Sequence, residues 1–327
     1  MATKYRLEQV SLGENWDKFV KESAYGSIFT HTSYLSALKA KAAPYFLYNH
    51  QELRAAVLLI ESPEDSHKTY LHDYMVYNGV IFGKPAPKQN ATQQLSEQFS
   101  MQEYIAQELT NQYDTIEMLL HPTIQDMRPF LWHNYHSDLP KYQVDIRYTG
   151  YLNIQGFNMK STLESIPLFS QTSTSRRQEI RYARRKGVVT REYFDASVFA
   201  AFYEKTMNRQ NIEVRSEALR EMENIVESLI QTNQGKIYAS YTEHGDLGSM
   251  AFWGLEKTKA YYIFGANDPA YRRFHTGTAV LWDSFQFLNE QGVTLVDLEG
   301  VNSPKRGWFK LSFGASLVPY YQVTLNS

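Results

Sequence analysis

The spacing of apolar and polar residues changes several times along the chain, and each change marks a new element. Tyr5–Val10 alternates as a strand does, and segments 15–23 and 32–42 carry apolar residues at helical spacing. Tyr45–Tyr48 and Arg54–Glu61 read as strands flanking Asn49-His50-Gln51-Glu52, a hairpin turn by composition. A strand-like stretch runs from Thr69 toward Gly79, and Pro85–Pro87 marks a loop. Over Gln93–Gln112, Leu95, Phe99, Ile105 and Leu109 recur on one side of a helix. Asp114–Leu120 reads as a buried strand, a short helix follows, and Tyr142–Ile154 is extended.

The second half repeats this outline without repeating the sequence. A helix rich in arginine leads to a strand near Val188–Tyr193, and helices follow over Ala196–Arg209 and Ser216–Thr232. Lys236–Glu243, Gly248–Glu256 and Lys259–Gly265 are three strands joined by short turns, the pattern of a meander. A helix over Thr276–Gln291 and a strand over Thr294–Leu298 complete the half. Helices and antiparallel strands in this mixed order predict an α+β fold rather than a doubly wound parallel sheet.

Composition narrows the picture. A chain of 327 residues that is 43% hydrophobic can bury two cores of ordinary size. Charged residues make up 21% and nearly cancel to a formal net charge of -2, so any recognition of anions must be local. There is no cysteine, which removes disulfides, thiolate metal sites and a cysteine nucleophile, and fits a reducing compartment. Met1–Val10 lacks the apolar core of a signal peptide, and the longest aliphatic run, Ala55–Ile60, falls far short of the ~20 residues that span a bilayer. These features predict a soluble cytoplasmic protein with no membrane span. The 24 tyrosines fit half-buried strand positions better than sugar-stacking surfaces. His133 and His136 lie three apart with no second ligand pair at matching spacing, so no metal site is expected. Neither a Gly-x-Ser-x-Gly elbow nor a phosphate-binding P-loop is present.

Local positive charge is concentrated in Ser173–Gly187, STSRRQEIRYARRKG. On a helix from about Ser175, Arg177, Arg181, Arg184 and Arg185 fall on adjoining faces, and Ile180 and Ala183 can face a core. A merely solvated helix interleaves acids, yet Glu179 is the one acid here. Guanidinium forks suit phosphate oxygens, so Arg177, Arg181 and Arg184 are expected to hold a phosphate-bearing substrate.

The last third runs YYIFGANDPAYRRFHTGTAVLWDSFQFLNEQGVTLVDLEGVNSPKRGWFKLSFGA. A strand ending at Gly265, an amphipathic helix with Leu281-Trp282, a strand delivering Asp297-Leu-Glu-Gly300, and Trp308-Phe-Lys-Leu-Ser-Phe-Gly314 follow in order. Together with the arginine segment, this set resembles the Fem-type branch of the GNAT acyltransferase superfamily. GSIFTHTSYLSAL (26–38) and YMVYNGVIFG (74–83) match more weakly. The resemblance implies two GNAT-like domains, each a mixed, mainly antiparallel sheet flanked by helices, with a cleft between them. Their expected bounds are 1–150, joined by the C-terminal strand 317–327, and 151–316.

The same resemblance assigns roles. Lys310, in Phe-Lys-x-x-Phe-Gly, would meet the transferring carbonyl or a donor phosphate; otherwise it is a surface lysine between core aromatics. Asp297 and Glu299, one strand period apart, would share a face and take the amine proton or hold an ammonium group, or else cap the following turn. His72, Asp73, Tyr77 and Asn78 would contact substrate from the first half. The bridge-forming members carry an acid shortly after a Gly-Pro-Val run, whereas this chain has Gly79-Val80-Ile81-Phe82-Gly83, which puts a peptidoglycan-precursor acceptor in doubt and leaves Asp73 as the substitute. Simple GNAT enzymes hold the coenzyme A pyrophosphate at a helix N-terminus. Here Gly277 and Thr278, with Arg272 and Arg273 nearby, would do so, although Phe274 stands where glutamine or arginine is usual.

The expected activity is transfer of an acyl or aminoacyl group to an amine, of an amino sugar or a cell-envelope precursor. Acyl-CoA or aminoacyl-tRNA would be the donor substrate, with no tightly bound cofactor. The acceptor would be a phosphate-bearing small molecule or lipid-linked. The alternatives are aminoacyl-tRNA-dependent peptidoglycan-bridge synthesis and a non-catalytic glycan- or nucleic-acid-binding protein on the same scaffold.

Overall fold

A computed structural model describes residues 5–157, 162–209 and 212–326. The chain divides into two compact units, residues 1–147 with 319–327 and residues 148–318.

In unit 1 the order is β1 (Tyr5–Gln9), α1 (Glu14–Glu22), α2 (Thr32–Leu35), β2 (Lys41–Asn49), β3 (Glu52–Glu61), β4 (Gly79–Phe82), α3 (Ala91–Thr110), β5 (Thr115–Leu119) and α4 (Arg128–Leu131). The strands β1-β2-β3-β4 form one antiparallel sheet. The hairpin pairs Asn49 with Glu52 through a two-residue turn, with His50 at φ 53°. An Asn90–Gln93 capping box starts α3, whose Met101, Ile105 and Leu109 pack against Tyr45, Val57 and Met118 of the sheet side.

Two expectations for this unit are corrected. The helical spacing over 32–42 yields only one turn, because from Lys41 the chain pairs with β3 along its whole length and with β1 as well. The stretch 69–79 is a bridge at Thr69 followed by turns. Between its ends, which still bond to strand carbonyls, backbone donors go to side chains and to a turn carbonyl: Leu71 N–H to Glu117 Oε2 (3.1 Å), Tyr74 N–H to His72 Nδ1 (3.2 Å) and Met75 N–H to His72 O (2.9 Å).

The chain continues through β6 (Gln143–Asn153), α5 (Pro167–Gln171), α6 (Thr174–Arg185), β7 (Val189–Tyr193), α7 (Ala196–Asn208), α8 (Ser216–Gln231), β8 (Gly235–Tyr241), β9 (Leu247–Leu255), β10 (Lys259–Asn267), α9 (Thr276–Glu290), β11 (Leu295–Asp297), α10 (Pro304–Leu311) and β12 (Ser316–Asn326). In unit 2 the strands run β6-β11-β10-β9-β8-β7, antiparallel except for the parallel pair β10–β11. The end of β12 pairs with β5 within unit 1. The core of unit 2 is aromatic: Trp253 and Trp282 are fully buried with Phe169, Phe285 and Phe313 around them. Both units are α+β, with mixed or antiparallel sheets flanked by helices. Among the described residues no helix is long and apolar enough to cross a membrane.

Candidate active site

In unit 2, β10 pairs with β11 only over Lys259–Tyr261 and Leu295–Asp297. Beyond that point β11 ends, while β10 runs on to Asn267 against β9 with a register shift between Tyr262 and Phe264. Gly265 permits this: a Cβ there would lie 1.8 Å from the Tyr262 hydroxyl, so a side chain would displace the tyrosine.

Asp297 closes β11 and is fully buried. Its Oδ1 accepts from Thr149 Oγ1 (2.5 Å) and from the Glu299 N–H (2.9 Å), and its Oδ2 lies 3.6 Å from Lys259 Nζ. Lys259 also reaches the Tyr151 hydroxyl at 3.2 Å and sits over the Tyr151 and Tyr261 rings. The carboxylate is thus compensated on both oxygens, which is what allows a charge in a dry interior.

Glu299 differs. It is 6% exposed, adopts φ 55°, and its Oε1 is buried with no hydrogen-bond partner. Burial pushes its carboxyl well above the usual carboxylate range, and the nearby Asp297 charge adds to that shift, while Lys310 and Lys259 oppose it. The two carboxylates meet through the Glu299 N–H and a left-handed backbone, not through strand alternation, because β11 stops at Asp297.

Lys310 lies near the end of α10, a helix the sequence reading did not anticipate. Its Nζ points to the Gly300 carbonyl at 3.5 Å and lies 5.3 Å from the Tyr262 ring centre. Burial lowers its pKa, against the pull of Glu299 and Asp297. Phe313, three residues on, is fully buried against Phe285, and Phe309 packs edge-on to Phe313.

What fixes α10 is Arg176, which the sequence reading passed over in favour of its neighbours. The Arg176 guanidinium lies 4.4 and 4.9 Å from the Phe309 and Phe313 ring centres. It donates to Ser312 Oγ (2.9 Å) and Thr278 Oγ1 (2.5 Å), and pairs with Glu179. The signal was available: Arg176 lies four residues before Ile180 and seven before Ala183, on the buried face of α6.

The remaining arginines of α6 face outward to different degrees. Arg181 pairs with Glu164 at 3.0 Å and lies over Phe169, and Arg184 is exposed. Arg177 is half-buried, with Nε lacking a partner and Nη2 3.4 Å from Thr174 Oγ1.

At the start of α9 the Thr278 hydroxyl donates to Glu179 Oε2 at 2.6 Å. A Cβ on Gly277 would stand 2.4 Å from Asn267 Oδ1. Arg272 and Arg273 are exposed, the latter over the Phe274 ring.

The first-half residues belong to unit 1. Tyr77 is buried among the Phe29, His121 and Tyr320 rings. Asn78 is clamped to the end of β5, accepting from the Leu119 N–H at 2.6 Å and donating its own N–H to Leu119 O at 2.7 Å. His72 is buried, and Asp73 is exposed beside it.

A cavity of 660 Å³ in unit 2, lined by Glu192, Asp195, Glu223 and Glu227, shares no residue with the Asp297–Glu299–Lys310 group and offers only carboxylates as charged groups. No cluster of metal-binding side chains occurs among the described residues.

Residues 171–306 match the family described as an acetyltransferase (GNAT) domain. No curated protein sequence matches the chain. Among solved structures, FemX is similar with a TM-score of 0.65 at 14% identity, over 96% of each chain. The tandem GNAT protein of the clavulanic acid biosynthesis pathway gives 0.54 at 9% identity, over 98% of each chain. The C-terminal domain of a protein described as a lysylphosphatidylglycerol synthetase, from Agrobacterium fabrum, gives 0.52 at 10% identity over 96% of this chain and 92% of that one. The stretch that matches the GNAT family contains β10, β11, Asp297 and Glu299, and these likenesses extend the fold over the whole chain. Residues 171–306 match the GNAT acetyltransferase domain family, and the chain as a whole has the two-domain GNAT fold shared with FemX and the tandem GNAT protein.

Proposed function

We propose that unit 2 transfers an acyl or aminoacyl group from an activated donor to an amine, with Glu299 as the base and Lys310 as the charge that meets the oxyanion. The observation that carries this reading is the buried, unpartnered Oε1 of Glu299 with Lys310 in electrostatic reach, beyond the point where β10 and β11 part. Burial raises the affinity of the Glu299 carboxyl for a proton, the direction that general-base catalysis on an amine calls for. The amine nitrogen attacks the donor carbonyl, the new C–N bond forms, and the nitrogen proton passes to Glu299. The carbonyl oxygen carries the negative charge until the C–S or C–O bond to the leaving group breaks and that group takes up a proton. A preorganised charge at this oxygen is worth roughly 3 to 4 kcal/mol in the barrier. Asp297, compensated by Lys259 and Thr149, positions Glu299 and is not the base.

The acceptor class we favour is an amine on a phosphate-bearing or lipid-linked envelope precursor, with Arg177 and Arg184 on the open side of α6 as phosphate contacts. Arg181, already paired with Glu164, contributes less. Acyl-CoA or an aminoacyl ester would serve as donor; at the start of α9 the Glu179 carboxylate on Thr278 is balanced by the Arg176 guanidinium.

The test is product formation. Acetyl-CoA and aminoacyl-tRNA are incubated in turn with the protein and a panel containing glucosamine and a lysine-bearing cell-wall precursor peptide, and amide products are read by mass spectrometry. An amide formed from either donor and absent without protein supports the reading, and the donor that gives more product identifies the activated group. Binding with no amide and no accelerated donor hydrolysis would make the chain a binding protein on this scaffold.

A further inference from the structure

We propose that unit 1 carries a second ligand site, a groove between α3 and the segment after α4 that takes a neutral pyranose saccharide. A cavity of 470 Å³ is lined there by Ser100, Glu103 and Gln107 of α3 and by Trp132, His133 and Asn134. The size falls within the ~300–1,000 Å³ typical of small-molecule sites. The α3 residues are spaced three and four apart, so they form one stripe on the face away from the core residues Met101, Ile105 and Leu109.

The lining selects the ligand by chemistry. No lysine or arginine lines the groove; the Arg128 guanidinium, 5.5 Å from the Trp132 ring centre and so on one face of the indole, is forked onto Asp126 at 2.6 and 2.7 Å, which disfavours an anion. Hydroxyl, amide and carboxylate groups converge instead: Ser100, Gln107, Asn134 and Glu103. The Asn134 amide nitrogen is used on Pro140 O, leaving its oxygen to accept. His133 is buried with its ring against Tyr142, its Nε2 has no partner among the described residues, and burial lowers its pKa. Beside these lies Trp132, 53% exposed and held edge-on by Phe99. An aromatic face next to short polar groups matches a sugar ring, whose C–H face packs on the indole while its hydroxyls pair around the edge. The groove uses no residue of the Asp297–Glu299–Lys310 group, so the proposal stands whether or not the acyl transfer does.

Fluorescence can read this site because Trp16, Trp253 and Trp282 are buried and only Trp308 is exposed besides Trp132. The full-length Trp308→Phe protein would be titrated with the N-acetylglucosamine trisaccharide and with maltotriose. We expect a saturable change in emission with at least one of them. Saturation-transfer NMR on variants should show binding about tenfold weaker for Trp132→Ala and for Gln107→Ala, and nearly retained for Trp132→Phe. Thermal midpoints check that the variants fold, and Ser100→Tyr, which fills the groove with a ring, should abolish binding. No saturable change with either sugar, or equal binding by all variants, overturns the proposal. So does Trp132-dependent binding to phosphatidylglycerol vesicles in place of sugar, which would make this face a lipid contact.

Discussion

The Glu299 N–H donates to Asp297 Oδ1 at 2.9 Å, and it does so from a left-handed backbone at φ 55°. That conformation is uncommon for a residue with a side chain and costs on the order of 1 kcal/mol. The buried Asp297 carboxylate sustains it and so aims Glu299. In turn, Asp297 depends on Lys259 and Thr149.

Removing the Asp297 charge should therefore undo more than one contact. Asp297→Asn removes the carboxylate 3.6 Å from Lys259 Nζ, in a site where that side chain is 13% exposed, and should cost about 3 kcal/mol. Lys259→Met added to Asp297→Asn should recover part of that loss, because the interaction between the two is then absent from both single losses. Urea unfolding of the three variants measures this. Strictly additive losses would show that the pair is not coupled.

The arginines of α6 separate into two kinds. Arg176→Ala removes a guanidinium packed on two rings and bonded to Ser312 and Thr278, and should destabilise the protein by about 2 to 3 kcal/mol. Alanine at Arg177, Arg181 or Arg184 should change stability by within about 0.5 kcal/mol each, while the triple variant weakens binding of an anionic substrate. Thermal melts beside a titration with a diphosphate-linked sugar decide the matter. A triple variant that melts early with unchanged affinity would make these residues structural.

Much of this architecture was legible in the sequence. Strand and helix periods placed β2–β3, α3, the β8–β10 meander and α9 within a few residues, and the α+β order followed from them. Strand alternation pointed to Asp297 and Glu299 and a motif resemblance to Lys310, since no spacing rule links residue 299 to residue 310. What was missed depends on contacts distant in sequence. Nothing local to residues 32–42 announces that the helix stops at Leu35 and that Lys41 and Ala42 already pair with β3. Tyr77 and Asn78 look like site residues by type, yet ring packing and the clamp onto Leu119 account for both. Arg176 was hidden among five other basic residues because its partners, Phe309, Ser312 and Phe313, lie more than 130 positions away.

Asp283 provides a pH signature. Burial pushes its carboxyl up to about 6, offset in part by the Thr190 hydroxyl at 2.5 Å and by the Arg184 charge. A pKa raised in the folded state means that folding favours the protonated form. The stabilisation is complete below the ordinary value of 3.8 and is lost as pH rises through about 6. Asp283→Asn removes this dependence. Relative to the parent, the variant should gain on the order of 2 kcal/mol between pH 4 and pH 7.5 in urea midpoints. Parallel pH profiles for the two proteins would count against a buried, raised Asp283.

The central claim is that Lys310 supplies fixed charge to the transition state while Glu299 handles the proton. Lys310→Met keeps the stem that packs near Tyr262 and removes the charge. The most direct measurement is kcat for this variant with the donor and acceptor that give an amide product, beside a thermal melt. The account predicts a fall of roughly a hundredfold or more, little change in KM and an unchanged melt. A Lys310→Met protein that folds normally and turns over at the parent rate would contradict it.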